Sequence, residues 1–169
     1  FSVIGVVGVI ALLVAVNVIS SAWRGRIDMT EEKLYTLSPG TRAILGKLEM
    51  PVKIRFYYSR GSVEMPVGLK SFATRVQDLL KEYEVASDGM IDVQLLDPEP
   101  DSDAEDSAAF DGVHGQMLGN GDRIFLGLAV SHLEVTQSIP FLSPQREALM
   151  EYDITRAIYQ LSHPEKPVL

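Results

Sequence analysis

The densest group of potential ligands in the 169-residue chain is "DPEPDSDAED", Asp97 to Asp106, with six carboxylates and no base. Several oxygens on one short loop are what a hard cation such as Ca²⁺ takes, but the run lacks the glycine and terminal glutamate of an EF-hand loop. The helix dipole also favours carboxylates at a helix start, and a solvated acidic turn of that kind is the expectation here. His114, His132 and His163 are scattered, none four residues from another, so no helical metal pair forms and each is expected at the surface or in a loop. The absence of cysteine removes thiolate metal sites, thiol nucleophiles and disulfides together, while fitting either side of a membrane. No metal and no cofactor is expected.

"EYDITR", Glu151 to Arg156, could be an acid/base cluster. The plainer expectation is an i, i+3 ion pair between Asp153 and Arg156 flanking a buried helix face, with Tyr152 packed against the domain. No GxSxG elbow or P-loop occurs, and "GNGDRI" departs from the dinucleotide fingerprint because Ile124 stands where the third glycine belongs; an Asn-Gly turn explains those glycines. Tyr35, Tyr57, Tyr58, Phe72 and Tyr83 could line a ligand groove, although aromatics in strands and helix faces are usually core. No catalytic, cofactor-binding or metal residue is assigned, the binding residues are left unknown, and the chain is not expected to be an enzyme.

The elements that would carry these residues follow from periodicity. Ser38 and Pro39 are an N-cap and N1 pair for a helix through about Leu48, and Thr30 can cap a shorter turn before it, with Glu31 and Glu32 near its positive end. Val52 to Tyr58 and Met90 to Leu96 read as strands, and Leu69, Phe72, Ala73, Val76, Leu79, Leu80 and Tyr83 between them have helical spacing, so a βαβ unit with a parallel strand pair is expected. A short acidic helix over Asp101 to Asp111, a turn at Gly119 to Asp122, a strand "RIFLGLAV" and another over Glu134 to Ile139 come next. Ser143 and Pro144 start a last helix, with Met150, Ile154, Ala157, Ile158 and Leu161 on one face. The order β-α-β-α-β-β-α is thioredoxin-like, and an α/β sheet with helices on its faces is the broader statement. Without cysteine such a fold would serve as a scaffold.

Phe1 to Trp23 contains no charged residue, and the 22 residues "FSVIGVVGVIALLVAVNVISSA" would span about 33 Å as a helix, enough for a hydrocarbon core of about 30 Å. Trp23, Arg24 and Arg26 then suit an interface. The charge therefore belongs to the rest, 15 Lys and Arg against 23 Asp and Glu, and a net charge of −8 argues against nucleic acid as a partner. The expected layout is a transmembrane helix over 1–23, in contact with lipid, a stalk with short capped helices over 24–49, a soluble mixed-sheet α/β domain over 50–163, and over 164–169 the start of a segment cut short, in a chain trimmed from a longer protein. Arg24 and Arg26 alone leave the orientation of the span open.

"DMTEEKLYTLSPGTRAIL" directly after an anchor, then "PVKIRFYYS", "LLDPEP" and "EYDITRAIYQLS" in that order, resemble the extracytoplasmic part of GldG-like auxiliary proteins of ABC transport systems. The resemblance covers nearly all of the chain after Trp23. It implies a non-catalytic subunit at the bacterial inner (cytoplasmic) membrane, its soluble domain extracytoplasmic, working with an ABC permease and a separate ATPase in the kind of system named for gliding motility. It carries over no catalytic residue. The competing readings are a stand-alone anchored receptor for an envelope or small-molecule ligand, whose mark would be an aromatic-lined pocket, and an enzyme built from dispersed carboxylates and histidines.

Overall fold

The computed structural model describes residues 36–162. The expected span, the Thr30 turn, Tyr35, His163 and the segment over 164–169 lie outside the described residues. Ser38 caps helix α1 (Pro39–Leu45), its hydroxyl accepting the Thr41 N–H at 3.2 Å while Pro39 fills the first helical position. Gly46 ends the helix three residues short of the expected Leu48, and Lys47 and Leu48 continue as a tight turn onto Ile44 and Leu45. Strand β1 (Val52–Tyr58) is followed by the long helix α2 (Val67–Ala86), which buries Phe72, Ala73, Val76, Leu79, Leu80 and Tyr83, the face its apolar spacing marks. Strand β2 (Ile91–Leu96) then lies parallel to β1.

Helix α3 (Asp103–Phe110) starts at Ser102, whose hydroxyl accepts the Glu105 N–H. A two-residue hairpin, β3 (Gln116–Met117) and β4 (Arg123–Ile124), holds the Asn-Gly turn. The expected strand "RIFLGLAV" is broken at Phe125, whose backbone is tied to Ser59 instead, and resumes as β5 (Leu126–His132), followed by β6 (Val135–Ile139). The Ser143-Pro144 start yields a 3₁₀ turn over Pro144–Leu149, and helix α4 (Met150–Ser162) begins only at Met150. The Ser143 hydroxyl points to Gln145 and caps no backbone N–H, which removes the brace an α-helical first turn would need.

These elements make a mixed α/β domain whose four-stranded sheet runs β2-β1-β5-β6, with β1/β2 parallel and the other two pairs antiparallel. One face, through Val52, Ile54, Phe56 and Tyr58 of β1 and Leu126, Leu128 and Val130 of β5, packs against α1, α2 and α4. On the other face Tyr57, Phe125 and Ala129 meet Ala108 of α3 and Val113 in a smaller cluster. Leu37, Leu45 and Leu48 sit in the main core, so the α/β domain starts well before residue 50: a helix with a buried Thr41 and Leu45 stripe belongs to the core it packs on. No helix among the described residues is long and apolar enough to cross a membrane.

Leu133, 84 % exposed at the β5–β6 turn, holds φ at +53°, a region in which a γ-branched side chain crowds its own backbone. Asparagine adopts that conformation readily, so Leu133→Asn is expected to stabilise the fold by about 0.5–1 kcal/mol in a denaturant titration.

Candidate functional site

Two motifs far apart in the sequence, "LSPGT" and "EYDIT", meet where the chain passes from residue 37 into α1. Glu151, in the first turn of α4, accepts the backbone N–H of Ser38 at 2.8 Å and the Thr41 hydroxyl at 2.6 Å on the same Oε1. The Thr41 oxygen is also 3.1 Å from the Thr155 hydroxyl, which is 2.6 Å from the phenol of Tyr83 on α2, and that phenol lies 2.8 Å from the Glu151 carbonyl. Thr41, Thr155 and Tyr83 supply three protons for these four contacts. The Tyr83 phenol donates to the Glu151 carbonyl and the Thr41 hydroxyl to the Glu151 carboxylate, so the Thr155 hydroxyl has one proton for its contacts with Tyr83 and Thr41.

The environment fixes the charge states. Burial pushes the Glu151 carboxyl up, but the hydrogen bonds from Thr41 and Ser38 outweigh it and hold the group below the usual glutamate range. Burial holds the Tyr83 phenol well above the ordinary tyrosine range, so it is a permanent donor. An ionised acid that accepts two hydrogen bonds on one oxygen and a phenol that does not ionise are poor general acid/base partners. Their role is mechanical: the cluster pins α1 to α2 and α4.

Asp153 does not pair with Arg156; it takes Arg146 from the 3₁₀ turn at 2.9 Å, a partner seven residues back that the unexpected turn brings round. Tyr152 is 62 % exposed and does not pack, because helical phase turns it away once Ile154 and Ile158 face the sheet.

The second feature is an open cleft of about 380 Å³ beyond the carboxyl ends of β1 and β2, where ligands of α/β sheets commonly bind. Its walls carry Glu64, Asp97, Glu99 and Asp122 against Arg123. Ser59 also lines it, but the Ser59 hydroxyl accepts the Phe125 N–H at 2.9 Å and reaches Pro98 O at 3.3 Å, so it is a strut and not a nucleophile. Of the acidic run, Asp97 faces Arg60 and the Gly61 N–H, and Glu105 holds Arg123 at 3.0 Å. Asp103, Glu105 and Asp106 occupy the first turn of α3, where the dipole favours them. Among the described residues no three His, Asp or Glu side chains converge as metal ligands would.

The remaining charged group inside is Asp111, whose side chain is fully buried under β1. Arg55 donates from Nη2 to Oδ1 at 2.8 Å, with Nε 2.8 Å from Oδ2 but off the hydrogen-bonding direction, and the Tyr57 phenol donates to Oδ2 at 2.6 Å. Burial, and then the Asp111 carboxylate, push the Tyr57 phenol far up. His114 is exposed as expected, but His132 is buried at the end of β5, its Nδ1 donating to Pro51 O at 2.9 Å. Tyr57, Tyr58, Phe72 and Tyr83 are all core residues and line no groove of ligand size.

Sequence reasoning singled out Glu151 but not Ser38, Thr41, Thr155 or Asp111 as its structural equals. A threonine within an otherwise apolar helical stripe, as Thr155 lies beside Ile154 and Ile158, was the available signal.

The strand order and the fastened first helix define a mixed α/β domain. Residues 31–131, more than half of the chain, match the family described as a domain of unknown function (DUF7088), and the chain belongs to that family. No curated protein and no solved structure matches it.

Proposed function

We propose that the chain is a non-catalytic, membrane-anchored auxiliary subunit of a bacterial ABC transport system. Phe1 to Trp23 anchors it in the inner membrane, and the soluble domain is extracytoplasmic. The observation that carries the reading is the clamp at Ser38, Thr41, Tyr83, Glu151 and Thr155: it joins two of the four stretches on which the resemblance to GldG-like proteins rests, at the point where the chain comes in from the expected anchor. A thioredoxin-like scaffold fits the strand order β2-β1-β5-β6 with one parallel and two antiparallel pairs. In this reading, ATP-driven movement of the permease reaches the domain through the short stalk at Ile27 to Leu37, and the clamp delivers it to the helices packed on the sheet without slack.

Purification of the full-length protein from native membranes in mild detergent tests the assignment. An ATPase and a permease at fixed ratio are the expected companions; recovery of the chain alone, under conditions that keep other membrane complexes intact, overturns it. A flexible Gly/Ser insertion between Arg26 and Thr30 is expected to abolish transport while leaving expression and membrane insertion intact, because such a linker transmits no directed displacement. A second reading, an anchored receptor, is favoured by the acidic cleft, which suits a cationic ligand.

A further inference from the structure

The two edges of the sheet are finished differently. The Val52 N–H donates to Met90 O at 2.8 Å and the Ser59 N–H to Phe125 O at 3.0 Å, so even-numbered β1 residues bond to β2 and odd-numbered ones to β5. Residues 91, 93 and 95 of β2 therefore face outward, and the first two of their N–H groups are capped, Ile91 by the Ser87 hydroxyl at 3.0 Å and Val93 by Glu84 Oε1 at 3.2 Å. At the other edge, Ala129 and Ser131 of β5 bond to β1, which leaves Leu128, Val130 and His132 to bond to Ile139, Gln137 and Val135 of β6. Thr136 and Ser138 must then point their N–H and C=O groups outward. Among the described residues nothing pairs with them.

Edge strands are ordinarily blunted by a charge, a proline or a bulge, and β6 has none of these over Val135–Ile139. Its sequence, Val-Thr-Gln-Ser-Ile, is chemically palindromic about Gln137: apolar, hydroxyl, amide, hydroxyl, apolar. That symmetry selects the occupant, because an antiparallel strand that presents the same five side-chain classes in reverse is a second copy of the same strand.

We propose that β6 pairs antiparallel with β6 of a second copy of this chain about a two-fold axis through Gln137, joining two four-stranded sheets into one of eight. Thr136 of each copy exchanges both main-chain hydrogen bonds with Ser138 of the other. Val135, 58 % exposed, is covered by Ile139 of the second copy, and the two Gln137 amides lie side by side. The interface is isologous and closes on itself.

Residues 1–169 contain no cysteine, so one introduced thiol is the only thiol in the 169-residue chain. In this register residue 137 opposes its own copy as a non-hydrogen-bonded pair, with Cα atoms about 4.5 Å apart, inside the range a disulfide spans. The 169-residue chain in membranes, carrying Gln137→Cys and treated with a mild oxidant, is expected to form a disulfide-linked dimer at least about ten-fold faster than one carrying Asp92→Cys on the β2 edge. Ser138→Pro removes an outward N–H that the β5 ladder does not use, so in the Gln137→Cys background it is expected to bring crosslinking down to the Asp92→Cys rate with an unchanged thermal midpoint. Equal rates for the two cysteines, no effect of a folded Ser138→Pro protein, or a Cys at 137 captured by a different polypeptide would each overturn the pairing. Should Ser138→Pro not fold, the comparison of the two cysteines decides alone.

Discussion

Arg55→Met is expected to lower the free energy of unfolding by about 3–5 kcal/mol, because it strands a buried carboxylate. The Asp111 side chain is fully buried and keeps only the Tyr57 hydroxyl once the guanidinium is gone. Desolvation of an unpaired charge is the dominant cost; the Arg55 side chain is one quarter exposed and methionine fills most of the space of its stem, so lost packing adds little. Adding Asp111→Asn removes the charge while leaving an oxygen to accept from Tyr57. Urea denaturation of the wild type, the single variant and the double variant gives the result: the double variant should recover more than half of the loss. A double variant as unstable as Arg55→Met would show that packing around Arg55, and not the stranded charge, sets the cost.

Thr41→Val is the second large effect, expected at about 2–3 kcal/mol, since an isosteric methyl deletes a charge-assisted donor to Glu151 and leaves the Thr155 hydroxyl facing carbon. The change should be concentrated in α1, with amide exchange over residues 39–45 accelerating more than in α2. It should also alter the acid response. The Glu151 carboxyl is held below its ordinary range in the folded protein, so its contribution to stability is complete above that range and is lost as the pH falls through the folded value. Without the Thr41 donor that value moves up toward the ordinary one, so the acid loss becomes smaller and is complete at a higher pH. Stability measured between about pH 3 and 6 should show the shift, and Glu151→Gln should abolish this part of the pH dependence.

The helical face of α2 could be read from the chain because burial there follows one period over many residues, and β1 because β-branched and aromatic residues run together in it. Ser38 could be read as a cap because the capping signal is local. The same Ser-Pro signal at Ser143 was misleading: what decides between an α-helical and a 3₁₀ first turn is whether the serine finds the backbone, and here it finds Gln145. The clamp and the Arg55–Asp111–Tyr57 group lay out of reach for a different reason. Thr41 and Glu151 are 110 residues apart, and Arg55 and Asp111 are 56 apart, so nothing in the local sequence of either partner announces the other. Asp111, in front of Gly112, reads as a turn residue, and only the sheet above it makes it a buried anion. His132 illustrates the converse: an isolated histidine passes for a surface residue until strand pairing shows it at the closing pair of β5 and β6.

Helices α1 and α4 lie side by side and point the same way, for Ser38 and Thr41 meet the first turns of α4 while Lys47 and Ser162 line one cavity at the other end. The chain thus comes in at one end of this pair, and its last described residue stands at the opposite end, about 18 Å away along α4. Tension between those two points would drag the helices past each other in shear, so the contacts of Ser38, Thr41, Glu151 and Thr155 would resist together. A peeling geometry would break them one after another under far smaller force. The domain is therefore stiff along this line and soft across it, and a pull on residue 38 would displace the whole body before it unravelled the first helix.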